Sequence, residues 1–145
     1  MAIGSHLAGR AIDVSRTTAA HALSYGITKR FGLSHGHAVA VTLGAFIELH
    51  ADAARSVDGI ADSQDELEAA VGEILHYLRA EDGAEARDAF EGLALSIGLD
   101  LSLAGAGANE GDVYRLARTV NVERLGNNPI ALDEDQLTTL LLDAI

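Results

Sequence analysis

The sequence predicts an all-α fold, a single helical, bundle-like domain spanning residues 1–145. Apolar residues recur at the three- and four-residue spacing of helix faces, and no segment alternates with the period of two that marks a half-buried strand. Hydrophobic residues make up 48% of the chain but aromatic ones only 4%, with no Trp, so Ala, Leu, Ile and Val must fill the interior. Small side chains let helices approach one another closely.

Taken in order, Ile3 to Val14 reads as a first helix in which Ala8, Gly9, Ala11 and Ile12 would admit a close neighbour. Thr17 to Arg30 reads as a second, with His21 and Tyr25 four apart and so on one face. Gly32 breaks the chain before a third helix from about His35 to Ala54. Ser63-Gln64-Asp65-Glu66 is a capping box that opens a helix with Leu67, Val71, Ile74, Leu75 and Leu78 inward. Ala86, Phe90, Leu93 and Ile97 mark the next apolar stripe, which Gly98 ends, and a Gly/Ala-rich loop from Leu101 to Ala108 follows. Asn109 caps a helix holding Val113, Leu116, Ala117 and Val120. Asn127-Asn128-Pro129 is a stop, because the residue before Pro is pushed out of helical geometry. The last helix starts at Asp133, boxed by Gln136, with Leu132 able to staple onto Leu137.

Charge and composition exclude several function classes. The net charge of −12 is unevenly placed: residues 1–60 sum to +1 and residues 61–145 to −13. Such a surface repels phosphate backbones, which argues against nucleic-acid binding. The absence of Cys removes disulfides, thiolate metal sites and a Cys nucleophile, so any metal must sit on His, carboxylate or water. No apolar run is long enough to span a bilayer, and a soluble cytoplasmic protein is expected. There is no nucleophile elbow, P-loop or strand-preceded Gly-x-Gly-x-x-Gly; residues 103–108 imitate the last but read as a connecting loop.

The unusual chemistry is histidine. Six are present, and four of them, His21, His35, His37 and His50, crowd into the near-neutral first part of the chain. Imidazole is a common ligand of Fe(II) and Zn(II). His21 and His35 meet only if one lies within a helix and the other opens a second helix that packs back on it, and the break at Gly32 allows that turn. The spacing alone is nonspecific. His37 cannot share a regular helix face with His35, being two residues on, and is read as a cleft or supporting residue. His6, His50 and His76 are assigned to surface or core.

The runs Leu7-Ala8-Gly9-Arg10-Ala11-Ile12, Thr17-Thr18-Ala19-Ala20-His21-Ala22-Leu23-Ser24-Tyr25 and Phe31-Gly32-Leu33-Ser34-His35-Gly36-His37-Ala38-Val39-Ala40 resemble, in order and spacing, the central segment of the iron-containing (group III) alcohol dehydrogenases. Ile97-Gly98-Leu99 and Asn127-Asn128-Pro129 resemble the closing pattern of those enzymes. The resemblance spans essentially the whole chain. It implies the C-terminal helical domain of that family, with its dehydroquinate synthase-like fold, and an activity that moves hydride between NAD(P)H and a small alcohol/aldehyde pair. His21 and His35 fall at the family's last two metal-ligand positions, for Fe(II) or Zn(II). Tyr25 stands where many relatives carry another active-site His, and together with His37 it is a candidate catalytic residue. The wording around His21 is similar to the branch acting on small polar or phosphonate-like aldehydes.

The resemblance also implies partners outside this stretch. Relatives supply an Asp and a further His, four apart on a helix, and a nucleotide-binding α/β domain that holds most of NAD(P)H, all upstream of the segment matched here. The chain is therefore expected to be incomplete as a catalyst by itself, whether a piece of a longer enzyme, one subunit of a split enzyme or a noncatalytic assembly module. Helices that would pack on the missing half are expected to expose apolar faces, giving a homo-oligomer or capture of a complementary N-terminal chain.

Overall fold

The computed structural model describes residues 2–55 and 64–145, and every regular element among them is helical. They are α1 (Ala2–Val14), α2 (Ala19–Phe31), α3 (His35–Arg55), α4 (Gln64–Leu78), α5 (Gly83–Ser96), α6 (Glu110–Thr119), α7 (Val122–Leu125) and α8 (Glu134–Leu142). The capping box predicted at Ser63 lies outside the described residues.

The long helix α3 is the axis of the fold, with α2, α4, α5 and α8 packed against it. One core joins Leu23 and Ile27 of α2, Val41 and Phe46 of α3, Val113 and Leu116 of α6, and Leu137 and Leu141 of α8. A smaller cluster at the far end of α3 buries Ala51 and Ala54 against Leu67 and Val71 of α4. Helix α6 closes on α2 at Gly26, where a Cβ would lie 2.8 Å from Leu116 Cδ2, so only glycine admits that approach without displacing the leucine.

Local chemistry sets the helix ends. Gly32 terminates α2 in the left-handed region, φ 73°, with its N–H donating to Thr28 O. Asn109 and Asp133 form full reciprocal boxes with Asp112 and Gln136, as predicted. Leu132 and Leu137 share the main core. The Gly/Ala loop is anchored rather than loose: Leu103 is fully buried and its N–H donates to Ala144 O at 2.6 Å.

Two expectations fail on packing. In α5 the buried residues are Gly83, Ala86 and Ala94, while Leu93 and Ile97 are 59% and 69% exposed. The reason is close approach: Gly83 sits against the Glu48 backbone and Ala51, so the small face of α5 meets α3 and its leucines turn outward. In α4, Ile74 is likewise exposed. Helix α1 has no neighbour among the described residues, and its Ile3, Leu7, Ile12 and Val14 are all exposed. The short helix α7, capped by Asn121, was not anticipated. No helix among the described residues is long and apolar enough to cross a membrane.

Candidate metal centre

Two consecutive helices and the turn between them bring three rings together. His21 and Tyr25 stand one turn apart on α2, and the Gly32 turn folds α3 back so that His35, in its first turn, meets them. The His21 and His35 ring centroids are 4.5 Å apart and close to perpendicular, and Tyr25 lies 5.3 Å from each. This is the juxtaposition that the sequence requires of a shared site.

Hydrogen bonds engage both imidazoles, and for His35 they fix which nitrogen carries the proton. The Ser24 hydroxyl donates to His21 O at 2.7 Å, so its oxygen can only accept from His35 Nδ1–H at 3.3 Å. Neutral His35 then carries its lone pair on Nε2. On the other side, Arg124 Nη1 donates to the Tyr25 hydroxyl at 2.8 Å, and His21 Nε2 lies 3.0 Å from the same oxygen, donating to it or accepting from it according to its tautomer. Burial, then the neighbouring His35, then the Arg124 guanidinium hold His21 below the ordinary imidazole value, favouring the neutral form that binds metals.

The donor set fits half of a catalytic metal site. Two imidazoles converge, yet among the described residues no group of three or more His, Cys, Asp or Glu is placed to hold an ion. A catalytic zinc normally takes three protein ligands and keeps one position open. A metal at this pair would need further ligands from outside these residues.

His37 stands apart from the three rings. It is half-buried, and its Nε2–H donates to Asp100 O at 2.6 Å, tying the start of α3 to the loop after α5. His50, assigned to surface or core, is half-buried and donates to Asn128 Oδ1 at 3.1 Å; burial pushes it below the ordinary imidazole value, partly offset by that bond. The same oxygen accepts from Ala19 N at 3.3 Å, and Asn128 Nδ2 donates to Ile130 O. Asn128 thus caps α2, two residues before His21, while the local N-cap Thr18 makes no side-chain bond. Sequence reasoning read Asn128 only as a turn residue and passed over Ser24 and Arg124. Ser24 carried a usable signal, a hydroxyl one position before Tyr25 within the His motif; Arg124 carried none.

Comparison with known proteins now bears on this geometry. The model of the Fe-containing alcohol dehydrogenase family, C-terminal, matches residues 1–145. The chain belongs to the iron-containing alcohol dehydrogenase family. A sulfoacetaldehyde reductase of this fold from Bifidobacterium kashiwanohense, solved in complex with NAD+, superposes with a TM-score of 0.66 at 26% identity, covering 88% of this chain and 31% of that one. A 1,3-propanediol oxidoreductase shares the fold with a TM-score of 0.55 at 21% identity, covering 87% of this chain and 32% of that one. A phosphonoacetaldehyde reductase from Streptomyces viridochromogenes is 51% identical over 43 residues, 30% of this chain and 11% of that protein. This member of the iron-containing family thus spans about a third of the length of its solved relatives.

Proposed function

We propose that this chain is the metal-holding helical portion of an NAD(P)H-dependent reductase of small aldehydes, completed by ligands and a nucleotide-binding region outside the residues described. The observation that carries it is the convergence of the His21 and His35 rings, with the Ser24 hydroxyl engaging His35 at Nδ1 and leaving its Nε2 for a ligand. The relatives support the direction: those of Streptomyces and Bifidobacterium are named as reductases of aldehydes bearing a phosphonate and a sulfonate, and the latter was solved with NAD+.

His21 and His35 would hold a divalent ion, Fe(II) or Zn(II), which when bound polarises a carbonyl oxygen as a Lewis acid. NAD(P)H would supply the hydride, which joins the carbonyl carbon, while a proton joins the oxygen to give the alcohol. Tyr25 is assigned the proton: its oxygen already accepts from Arg124, so its own hydrogen is directed at a second acceptor. Ser24 keeps His35 in the ligating tautomer, the orienting role that partners outside the ligand set serve at metal sites. His37 is assigned to the cleft wall as a tether of the loop through Asp100 rather than to proton transfer.

Elemental analysis of protein purified with Fe(II) or Zn(II) tests the reading, alongside oxidation of NADH by added aldehyde in the presence of the complementary half. Bound metal is expected to drop sharply in both His21→Ala and His35→Ala. Unchanged metal content in the two variants, with activity retained, rules the assignment out.

A further inference from the structure

We infer that Arg124 receives the anionic tail of the substrate, so that the preferred aldehydes carry a phosphonate or sulfonate one or two carbons from the carbonyl; this rests on the aldehyde-reductase reading above. The starting observation is the company that Arg124 keeps. In a chain of net charge −12, Arg30, Arg87, Arg115 and Arg118 each pair with a carboxylate. Arg124, like Arg10, Arg16, Arg55 and Arg79, forms no ion pair with a carboxylate among the described residues, and what sets it apart is where it lies. Its guanidinium instead lies 4.6 Å above the Tyr25 ring and donates one N–H to the phenol oxygen.

That arrangement is held from both sides. Asn121 accepts from Arg124 N and so caps the short helix that presents the side chain, and α7 packs on α2, which carries the ring. A guanidinium has five N–H donors in a planar fork, and one is used here. The remaining four match the oxygens of a tetrahedral anion, which arginine binds in pairs.

The space beside it has the right chemistry. A cavity of about 210 Å³ is lined by Tyr25, Gly26, Thr119, Asn121 and Arg124 among others, and no carboxylate lines it. At about 30 Å³ per water molecule it holds a compound of only a few heavy atoms. Tyr25 borders both this cavity and the imidazole pair, and its single hydroxyl bridges His21 Nε2 and Arg124 Nη1. A carbonyl at the imidazoles and an anion at the guanidinium therefore need only a short spacer. An uncharged aldehyde would leave the fork without a partner.

The inference is tested by calorimetric titration of the metal-loaded full chain with 2-hydroxyethylphosphonate, 2-hydroxyethylsulfonate and, as the uncharged alcohol, ethylene glycol. At least one anion is expected to bind measurably, more tightly than ethylene glycol, and which one binds better separates a phosphonate from a sulfonate substrate. Arg124→Gln is expected to weaken that anion at least tenfold, with Arg124→Lys, which keeps the charge but loses the fork, falling between. In NADH oxidation the preference for the anionic aldehyde over acetaldehyde should shrink by a similar factor in Arg124→Gln. Equal anion affinity in wild type and both variants, or no anion binding by the wild type, overturns the inference. Absence of turnover with every aldehyde, charged or uncharged, when the complementary half is present, while anion binding still depends on Arg124, would instead count against the reductase reading and leave the anion site standing.

Discussion

At the scale of single residues the site depends on side chains that never touch the reacting atoms. Ser24 is fully buried, and its one hydroxyl both donates to His21 O and accepts from His35 Nδ1. Removing it frees the His35 ring to rotate and to exchange tautomers. Ser24→Ala is therefore expected to weaken metal binding by roughly 10- to 100-fold, the range typical of lost orienting partners, with little change in helix content. Competition with a chelator reads the affinity and circular dichroism reads the fold; an unaltered affinity would mean that packing alone orients His35.

At the scale of elements, helix pairs are joined by specific small devices. Asp112 completes the cap of α6 and accepts from Arg30 on α2, so one carboxylate links two helices. Hydrogen bonds from Arg115, then from the Asn109 backbone, with the Arg30 pair adding to them, hold its pKa down to about 2 against the usual 3.8. A carboxyl lowered in the folded state stabilises fully above its unfolded value and loses that contribution as pH falls through the folded one. Thermal unfolding midpoints should thus decline between pH 3.8 and about 2 more steeply in wild type than in Asp112→Asn. Parallel curves for the two proteins would remove Asp112 from the account. The α3–α5 seam offers a second test. A Cβ at Gly83 would lie 2.9 Å from Glu48 O, a backbone atom that cannot swing aside. Gly83→Ala is expected to cost about 1–3 kcal/mol in chemical denaturation, the usual price of overpacking, and a neutral or stabilising result would show that the seam yields.

These elements also show what the sequence could convey. The ends of α2, α6 and α8 were legible because a cap acts within four residues of itself: Gly32, the Asn109 box and the Asp133 box each declare a local geometry. The imidazole pair was legible from the family motifs around it, since its spacing is nonspecific and the turn at Gly32 only permits the meeting. The buried face of α5 was not. Its periodicity favoured Leu93 and Ile97, whereas contact with α3 selected the small residues, a preference held by the partner and not by α5 itself. Arg124 and Asn128 reach α2 across sequence separations of 99 and 109 residues, and no local pattern encodes such a meeting. A four-residue helix such as α7 is also too short to display a period.

At the scale of the whole molecule, the described residues leave apolar surface without cover. Helix α1 exposes Ile3, Leu7, Ile12 and Val14, and α5 exposes Leu93, Leu95 and Ile97. Apolar surface of this kind is expected to seek contact with another surface. Sedimentation velocity over a dilution series is expected to show association of the isolated chain, reduced by the pair Leu7→Ser and Ile12→Ser. A clean monomer at micromolar concentration would mean that α1 tolerates water as it stands.

The bond from Ala19 N to Asn128 carries a consequence for how the protein is made. During translation the two helices bearing His21 and His35 leave the ribosome long before Asn128 does, and until it arrives the first turn of α2 has an open amide. Closing a loop of that length comes late in folding. Until Asn128 has emerged, the turn that leads into His21 is thus expected to fray, so the geometry of the two imidazoles is completed only after that distant residue docks.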